Sequence, residues 1–191
     1  MELKEIVEMN VGLIISRKEA KKPDKTYKVY NLLTTKCILD EGILDSSLIQ
    51  SFNSKEEIDE KYLTQENDII LKTSYPYTSF CIDKNNTNLL ISSNFIILRL
   101  KENLIFNSKF IAIYMNSDKV KSYLSNQLRN SAVPGLKISD IGNIKIPQIS
   151  KKEQEKIVEF QELFIDEMKM YQNLIHNKYL LNKKVMHTLL D

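Results

Sequence analysis

Tryptophan is absent from this chain, glycine and proline occur only four times each, and there are two cysteines and two histidines. Each scarcity removes a class of chemistry. With so few glycines there is no G-x-G-x-x-G and no glycine-rich phosphate loop, so nucleotide-binding enzymes are excluded by motif. The loop and glycine turn of an adenine methyltransferase, with its Asn-Pro-Pro-aromatic run, are likewise missing. Cys37 and Cys81 have no metal-ligand spacing and read as two free thiols in a reducing compartment. His176 and His187 stand eleven residues apart in the most helical part of the chain, about three turns from each other, too far to share one metal ion. No histidine lies earlier in the chain to activate a serine or cysteine. The carboxylates nearest to a lysine partner, Asp68 with Lys72 and Asp83 with Lys84, read as turn and strand-edge residues rather than a cation site. The expectation is a protein that is not an enzyme and holds no metal and no cofactor.

Long apolar runs are also lacking. The opening Met1-Glu-Leu-Lys-Glu is not a signal peptide, and no stretch of roughly 18 apolar residues is present. These features predict a cytoplasmic protein with no membrane partner. Charge of one sign is lacking too, because 27 basic residues face 25 acidic ones, a formal net charge of +2. That excludes a strongly basic arm but leaves room for a local basic face. Hydrophobic residues at 42% and charged residues at 27% place the 191-residue chain among globular proteins with one core of ordinary size.

What is present divides near Ser150. Before it, Tyr27-Lys-Val-Tyr-Asn-Leu-Leu, Asp68-Ile-Ile-Leu-Lys-Thr, Phe80-Cys-Ile and the run Leu89 to Leu100 read as strands, with Asp83 to Asn88 as a turn. Asn107 to Met115 and Ser117 to Arg129 read as helices, on the stripes Phe110, Ile113, Tyr114 and Val120, Tyr123, Leu124, Leu128. Ile138, Ile141, Ile144 and Ile146 form a short helix-to-strand element ending at Pro147. Strands first and helices after give an α+β class: a mixed β-sheet domain with packed helices over 1–149.

After Ser150 the signal changes. Ser150-Lys-Lys-Glu153 is a capping box that opens a helix. Ile157, Phe160, Phe164, Met168, Tyr171 and Ile175 recur three and four residues apart, and Tyr179, Met186 and Leu190 roughly continue the stripe. Without proline or glycine, 150–191 reads as one coiled-coil helix ~60 Å long. That exceeds what a domain of this size can cover, and a 3.5-residue repeat calls for a partner helix. Ile157, Phe160, Phe164, Met168, Tyr171, Ile175, Tyr179 and Met186 are therefore the candidate dimer interface. The alternative is a tail packed along its own domain. Seven lysines against seven acidic residues rule out a basic DNA-binding helix.

Three segments carry chemistry suited to nucleic acid. Arg17, Lys18, Lys21, Lys22, Lys25 and Lys28 fall in one stretch of six positive and two negative charges and could neutralise phosphates; the same stretch also reads as a solvated loop. Lys72, Thr73, Ser74, Tyr75, Tyr77 and Thr78 gather hydroxyls and aromatic rings around Pro76, suited to phosphates and base edges; the alternative is a plain turn with its tyrosines folded inward. Arg129, Asn130, Ser131 and Lys137 flank the Pro134-Gly135 turn, with Arg and Asn chemistry fitting guanine and adenine edges; they read equally as a helix C-terminus with Arg129 complementing the dipole and Asn130 as a cap.

The order of motifs resembles that of Type I restriction–modification DNA-specificity subunits. Leu136, Asp140-Ile141, Ile146-Pro147, Glu153-Gln154 and Ile157-Val158 resemble the end of that family's target-recognition domain. Leu63-Thr-Gln-Glu-Asn-Asp-Ile-Ile-Leu resembles its "leucine … glycine-aspartate-isoleucine-leucine", with Asn67 in place of the usual glycine. Ser92 to Leu100 resembles its next strand, and Leu3-Lys-Glu-Ile through Gly12 its opening. The resemblance implies a non-catalytic subunit that binds double-stranded DNA and directs partner methyltransferase and restriction subunits. It implies a half-length form, with one target-recognition domain and one spacer helix, that pairs with itself or another half and reads a bipartite site. The competing readings are a coiled-coil assembly module that binds protein only, and a stand-alone metal-dependent nuclease.

Overall fold

In the computed structural model, residues 1–22, 25–39, 42–102, 105–129 and 136–190 are described. Two β-sheets stack, with helices on the far side of one of them. A short helix α1 (Leu3–Ile6) leads into β1 (Val7–Val11). The next strands are β2 (Lys28–Leu33), β3 (Gln50–Ser54), β4 (Ile69–Lys72), β5 (Ser79–Cys81), β6 (Leu89–Ile91) and β7 (Phe95–Leu100). One sheet has the order β1-β7-β4-β5 and is antiparallel throughout. The other has the order β3-β2-β6, with β2 antiparallel to β3 and parallel to β6.

The apolar runs in β4 and β7 follow from burial on both faces. Ile69, Leu71, Ile96 and Leu98 face the helices and join a core with Leu3, Phe110, Met115 and Leu124. Ile70, Phe95 and Ile97 face the second sheet and pack on Leu33, Leu89 and Ile91. The far face of that second sheet carries a third core of Tyr30, Leu32, Phe52 and Leu90 under Leu13 and Ile58. The Tyr30 hydroxyl accepts from the Ile58 amide at 3.0 Å, which satisfies this otherwise apolar layer.

The run from Leu89 to Leu100 is two strands in two different sheets. The chain turns at Ser92, whose carbonyl accepts from the Phe95 amide at 3.0 Å, and crosses from one sheet to the other. Strands β1 and β3 carry little apolar signal: only Val7 is buried in the first, and one large apolar side chain, Phe52, in the second. Their existence depends on pairing with β7 and β2, which local sequence does not display. Asp68 is a finding of another kind. It does stand at the edge of a strand, directly before β4, but it is 1% exposed and gripped by Arg99, which the sequence does not display.

The helices follow the apolar stripes closely. Asn107 caps α2 (Ser108–Met115) by accepting from the Lys109 and Phe110 amides. Helices α3 (Asp118–Arg129) and α4 (Ile138–Gly142) complete the layer. After α4, Ile144 and Ile146 run beside the N-terminus: the Leu3 amide donates to the Ile144 carbonyl and the Ile146 amide to that of Met1, both at 2.8 Å.

Helix α5 runs unbroken for 40 residues, Lys151–Leu190. Its capping box is formed: the Ser150 amide donates to Glu153 at 2.9 Å and the Glu153 amide to the Ser150 hydroxyl at 3.3 Å. Only Gln154 and Val158 of the helix are buried. The Gln154 side chain accepts from the Asn107 amide at 2.8 Å and donates to the Ile105 and Ile149 carbonyls at 3.1 Å each. Lys109 on α2 then pairs with Glu162, about two turns further along α5 than Gln154. Beyond Ile165 every described residue of α5 is exposed, so the helix leaves the domain instead of folding back on it.

Candidate nucleic-acid interface

The basic stretch begins in the single helical turn Ile15–Arg17 and then runs along the free edge of β3. The Ala20 amide donates to the Asn53 carbonyl at 2.8 Å, and the Lys55 amide to that of Lys18 at 2.9 Å. Arg17, Lys21, Lys22, Lys25 and Lys28 are exposed. Lys18 is partly covered and held by Glu56 at 2.9 Å, while the Lys28 ammonium lies 5.1 Å from the centre of the Tyr30 ring. The backbone of this loop is therefore anchored while most of its cationic tips remain in solvent, the arrangement that phosphate contact needs.

Its neighbour is the turn between β6 and β7. The Leu13 amide donates to the Ile91 carbonyl and the Ser93 amide to that of Leu13, both at 2.8 Å. That turn in turn holds the second predicted segment: the amide and the hydroxyl of Thr73 both donate to the Asn94 carbonyl at 2.9 Å. Backbone contact thus links the loop that leads to Arg17, Ser93 and Asn94, and Thr73-Ser74 along one margin of the domain. Ser93 and Asn94, both exposed, were absent from the sequence-based candidates. They lie inside an apolar run read there as strand.

Within the second segment the structure separates the residues. Lys72 and Thr73 are half-buried, Ser74 is exposed and Tyr75 is 76% exposed. Tyr77 and Thr78 leave the candidate set, because at 5% and 1% exposure they face the core. Tyr77 instead supports Tyr75 from beneath, with the two rings edge-on and their centres 5.9 Å apart.

Tyr75 forms one wall of a groove of about 380 Å³ against α3. Lys121, Ser125, Asn126 and the exposed Arg129 line the opposite side, and Asp118 closes one end. The fold therefore joins Arg129 to the second segment, 54 positions earlier in sequence. Lys121 and Asn126 were missed, although Lys121 lies two four-residue steps and Asn126 one three-residue step before Arg129 on the same helix face. Lys137 is exposed at the cap of α4 and does not line that groove. Asn130 and Ser131 lie outside the described residues.

No group of three His, Cys, Asp or Glu side chains gathers among the described residues. Asp68 receives two parallel bonds from Arg99, at 2.7 Å from Nε and 2.8 Å from the terminal nitrogen, plus one from the Gln65 amide at 2.8 Å. Hydrogen bonding to Asp68 holds the Arg99 guanidinium above its ordinary pKa. Burial pushes the Cys81 thiol up to about 12, which leaves it protonated and unreactive at neutral pH. Cys37 is fully buried, beneath the Leu48 carbonyl. No helix among the described residues is long and apolar enough to cross a membrane.

All eight predicted interface residues of α5 are exposed, from Met168 at 36% to Phe160 at 73%. A second row, Leu163, Met170, Leu174 and Leu181, is also exposed and lies roughly 100° round the helix from Phe164. The apolar face is thus wider than a two-helix seam, and water covers it in the isolated chain.

The model of the Type I restriction modification DNA specificity domain matches residues 1–177. The chain belongs to that family. Comparison with curated proteins gives no match. Among solved structures, this specificity domain resembles a chain from the type I R-M system, from work on its complex assembly and conformational transition, at TM-score 0.63 and 16% identity. It also resembles the HsdS subunit from Thermoanaerobacter tengcongensis and the type I S subunit from M. genitalium, each at TM-score 0.54 and 14% identity. These alignments cover 91%, 87% and 91% of this chain but only 43%, 37% and 40% of the three structures. At such identities the likeness is one of fold.

The family motifs acquire physical roles here. Asn67 sits at φ 67°, a left-handed conformation that glycine adopts without strain and asparagine tolerates. Asp68 is the buried partner of Arg99, Glu153 completes the helix cap and Gln154 fastens α5 to the start of α2.

Proposed function

We propose that this chain is the sequence-reading, non-catalytic part of a Type I restriction–modification complex. It binds double-stranded DNA and directs methyltransferase and restriction subunits to a target. The observation that carries this reading is the joint presence of an anchored basic, hydroxyl- and amide-bearing margin on the globular domain and a 40-residue helix whose apolar face is uncovered. Arg17, Lys18, Lys21, Lys22, Lys25 and Lys28 act on phosphates. Lys72, Thr73, Ser74, Tyr75 and Arg129 approach the duplex at the groove against α3, and Lys137 adds a further cation. Two chains pair through Ile157, Phe160, Phe164, Met168, Tyr171, Ile175, Tyr179 and Met186, and the second row from Leu163 to Leu181 is left for a methyltransferase subunit. A two-fold pair would read an interrupted, palindromic site.

The test is a selection from a random-sequence duplex pool with the purified full chain, with binding measured across a salt series. The expected result is a steep fall of affinity with salt together with enrichment of one interrupted motif. A chain that binds no duplex and enriches nothing is an assembly module, and the proposal is wrong. Cleavage of plasmid by the pure chain with Mg²⁺ would overturn its non-catalytic role.

A further inference from the structure

The β2–β3 pair carries an open face for which packing offers no reason. Strand residues alternate between faces. In this ribbon Tyr30, Leu32 and Phe52 point inward, while Val29 stands opposite Asn53 and Asn31 opposite Ser51 on the outward side. Tyr27 and Lys55 continue the outward row, and the Tyr27 amide donates to the Ser54 carbonyl at 2.8 Å. All six outward residues are exposed. Tyr27 is 64% and Val29 56% exposed. The Leu33 end of the same side is buried against the other sheet, so the open part is confined to one end of the ribbon.

That open end is bordered by cations. Lys55 stands in the outward row itself, and the segment carrying Lys21 and Lys22 is held beside β3 by the Ala20–Asn53 hydrogen bond, whereas Lys28 lies on the inward side over the Tyr30 ring. A rim of exposed lysines around amides, a hydroxyl and an apolar group matches a duplex: phosphates outside, base edges within. The open face lies toward the end of β2 that β6 does not reach, since β6 pairs with β2 only from Asn31 to Leu33; in a major groove, asparagine pairs with adenine N6 and N7 and an aliphatic group meets the thymine methyl.

We propose that the outward face of the β2–β3 ribbon enters the major groove, that Asn31 and Asn53 read adenine there with Val29 against a thymine methyl, and that this ribbon is a specificity determinant. The inference rests on the DNA-binding reading above but assigns base recognition to residues outside the loops. The lysines beside the ribbon position it without reading sequence.

The test uses the full-length chain and a random-sequence duplex pool, comparing wild type, Asn31→Ala/Asn53→Ala and Lys21→Ala/Lys22→Ala. The asparagine variant should lose roughly tenfold or more of its enrichment at one or two A·T positions, with unchanged salt dependence on a mixed-sequence duplex. The lysine variant should bind all sequences more weakly, with a salt slope reduced by about 2, and keep the wild-type motif. Should the alanine variant misfold, Asn31→Ser/Asn53→Ser carries the same expectation. An asparagine variant that folds and selects the wild-type motif with equal enrichment overturns the ribbon assignment while leaving DNA binding intact. A wild type that selects no motif overturns the underlying reading and the ribbon assignment with it.

Discussion

Asp68 is 1% exposed, and its two oxygens are taken by Arg99 from the neighbouring strand β7. Removing Arg99 leaves the Asp68 carboxylate buried without its cation, so Arg99→Ala should cost about 3 kcal/mol or more in urea unfolding. Arg99→Lys should recover only part of that loss, because an ammonium cannot make two parallel bonds to Asp68. A loss under about 1 kcal/mol would show that the pair is incidental. Asn67, one position earlier, tests backbone strain. At φ 67°, Asn67→Gly should lose no stability, whereas Asn67→Val should lose about 1–2 kcal/mol by the same measurement. Gly12 is needed for a different reason: a Cβ there would lie 2.1 Å from the Ser92 carbonyl oxygen. Gly12→Ala should therefore pry β1 from the β6–β7 turn and cost about 2 kcal/mol or more. A melting temperature equal to wild type would contradict that close approach.

At the scale of elements, α5 has two parts held by different physics. Its first two turns belong to the globular core through Gln154 and Val158, and its remainder is apolar surface facing water. Gln154→Ala removes three hydrogen bonds and strands the buried end of α2, and should lower stability by about 2–4 kcal/mol. Glu153→Ala removes only one arm of an exposed cap and should cost about 1 kcal/mol. Equal effects of the two in thermal unfolding would mean that Gln154 does not anchor the helix. Helices α2, α3 and α5 were legible from the chain because their 3.6-residue stripes, and the Ser150–Glu153 cap of α5, are local; the cap role of Asn107 and the short α1 were not read. Strands β1 and β3 were not, since Val7–Val11 and Gln50–Ser54 take their conformation from partners distant in sequence.

For the whole molecule, the uncovered helix face sets the expected assembly. Tyr171→Lys/Ile175→Lys places two charges in the middle of the proposed seam. Light scattering should find a dimer for wild type at micromolar concentration and a monomer for the double variant, with the thermal unfolding of the globular domain unchanged. A monomeric wild type would remove the twin-reader architecture while leaving the fold as described. The chain's own residues determined the class of fold, the long helix with its apolar stripe and the lack of enzyme motifs, because composition, periodicity and caps act over a few neighbouring positions. Tertiary structure alone decided that Tyr77 and Thr78 turn inward, that Tyr75 meets Arg129 across a groove, and that a β-ribbon rimmed by lysines stays open to solvent. Those outcomes depend on which sheet each strand joins and which of its faces is left uncovered, and the pairing partners lie tens of residues away along the chain.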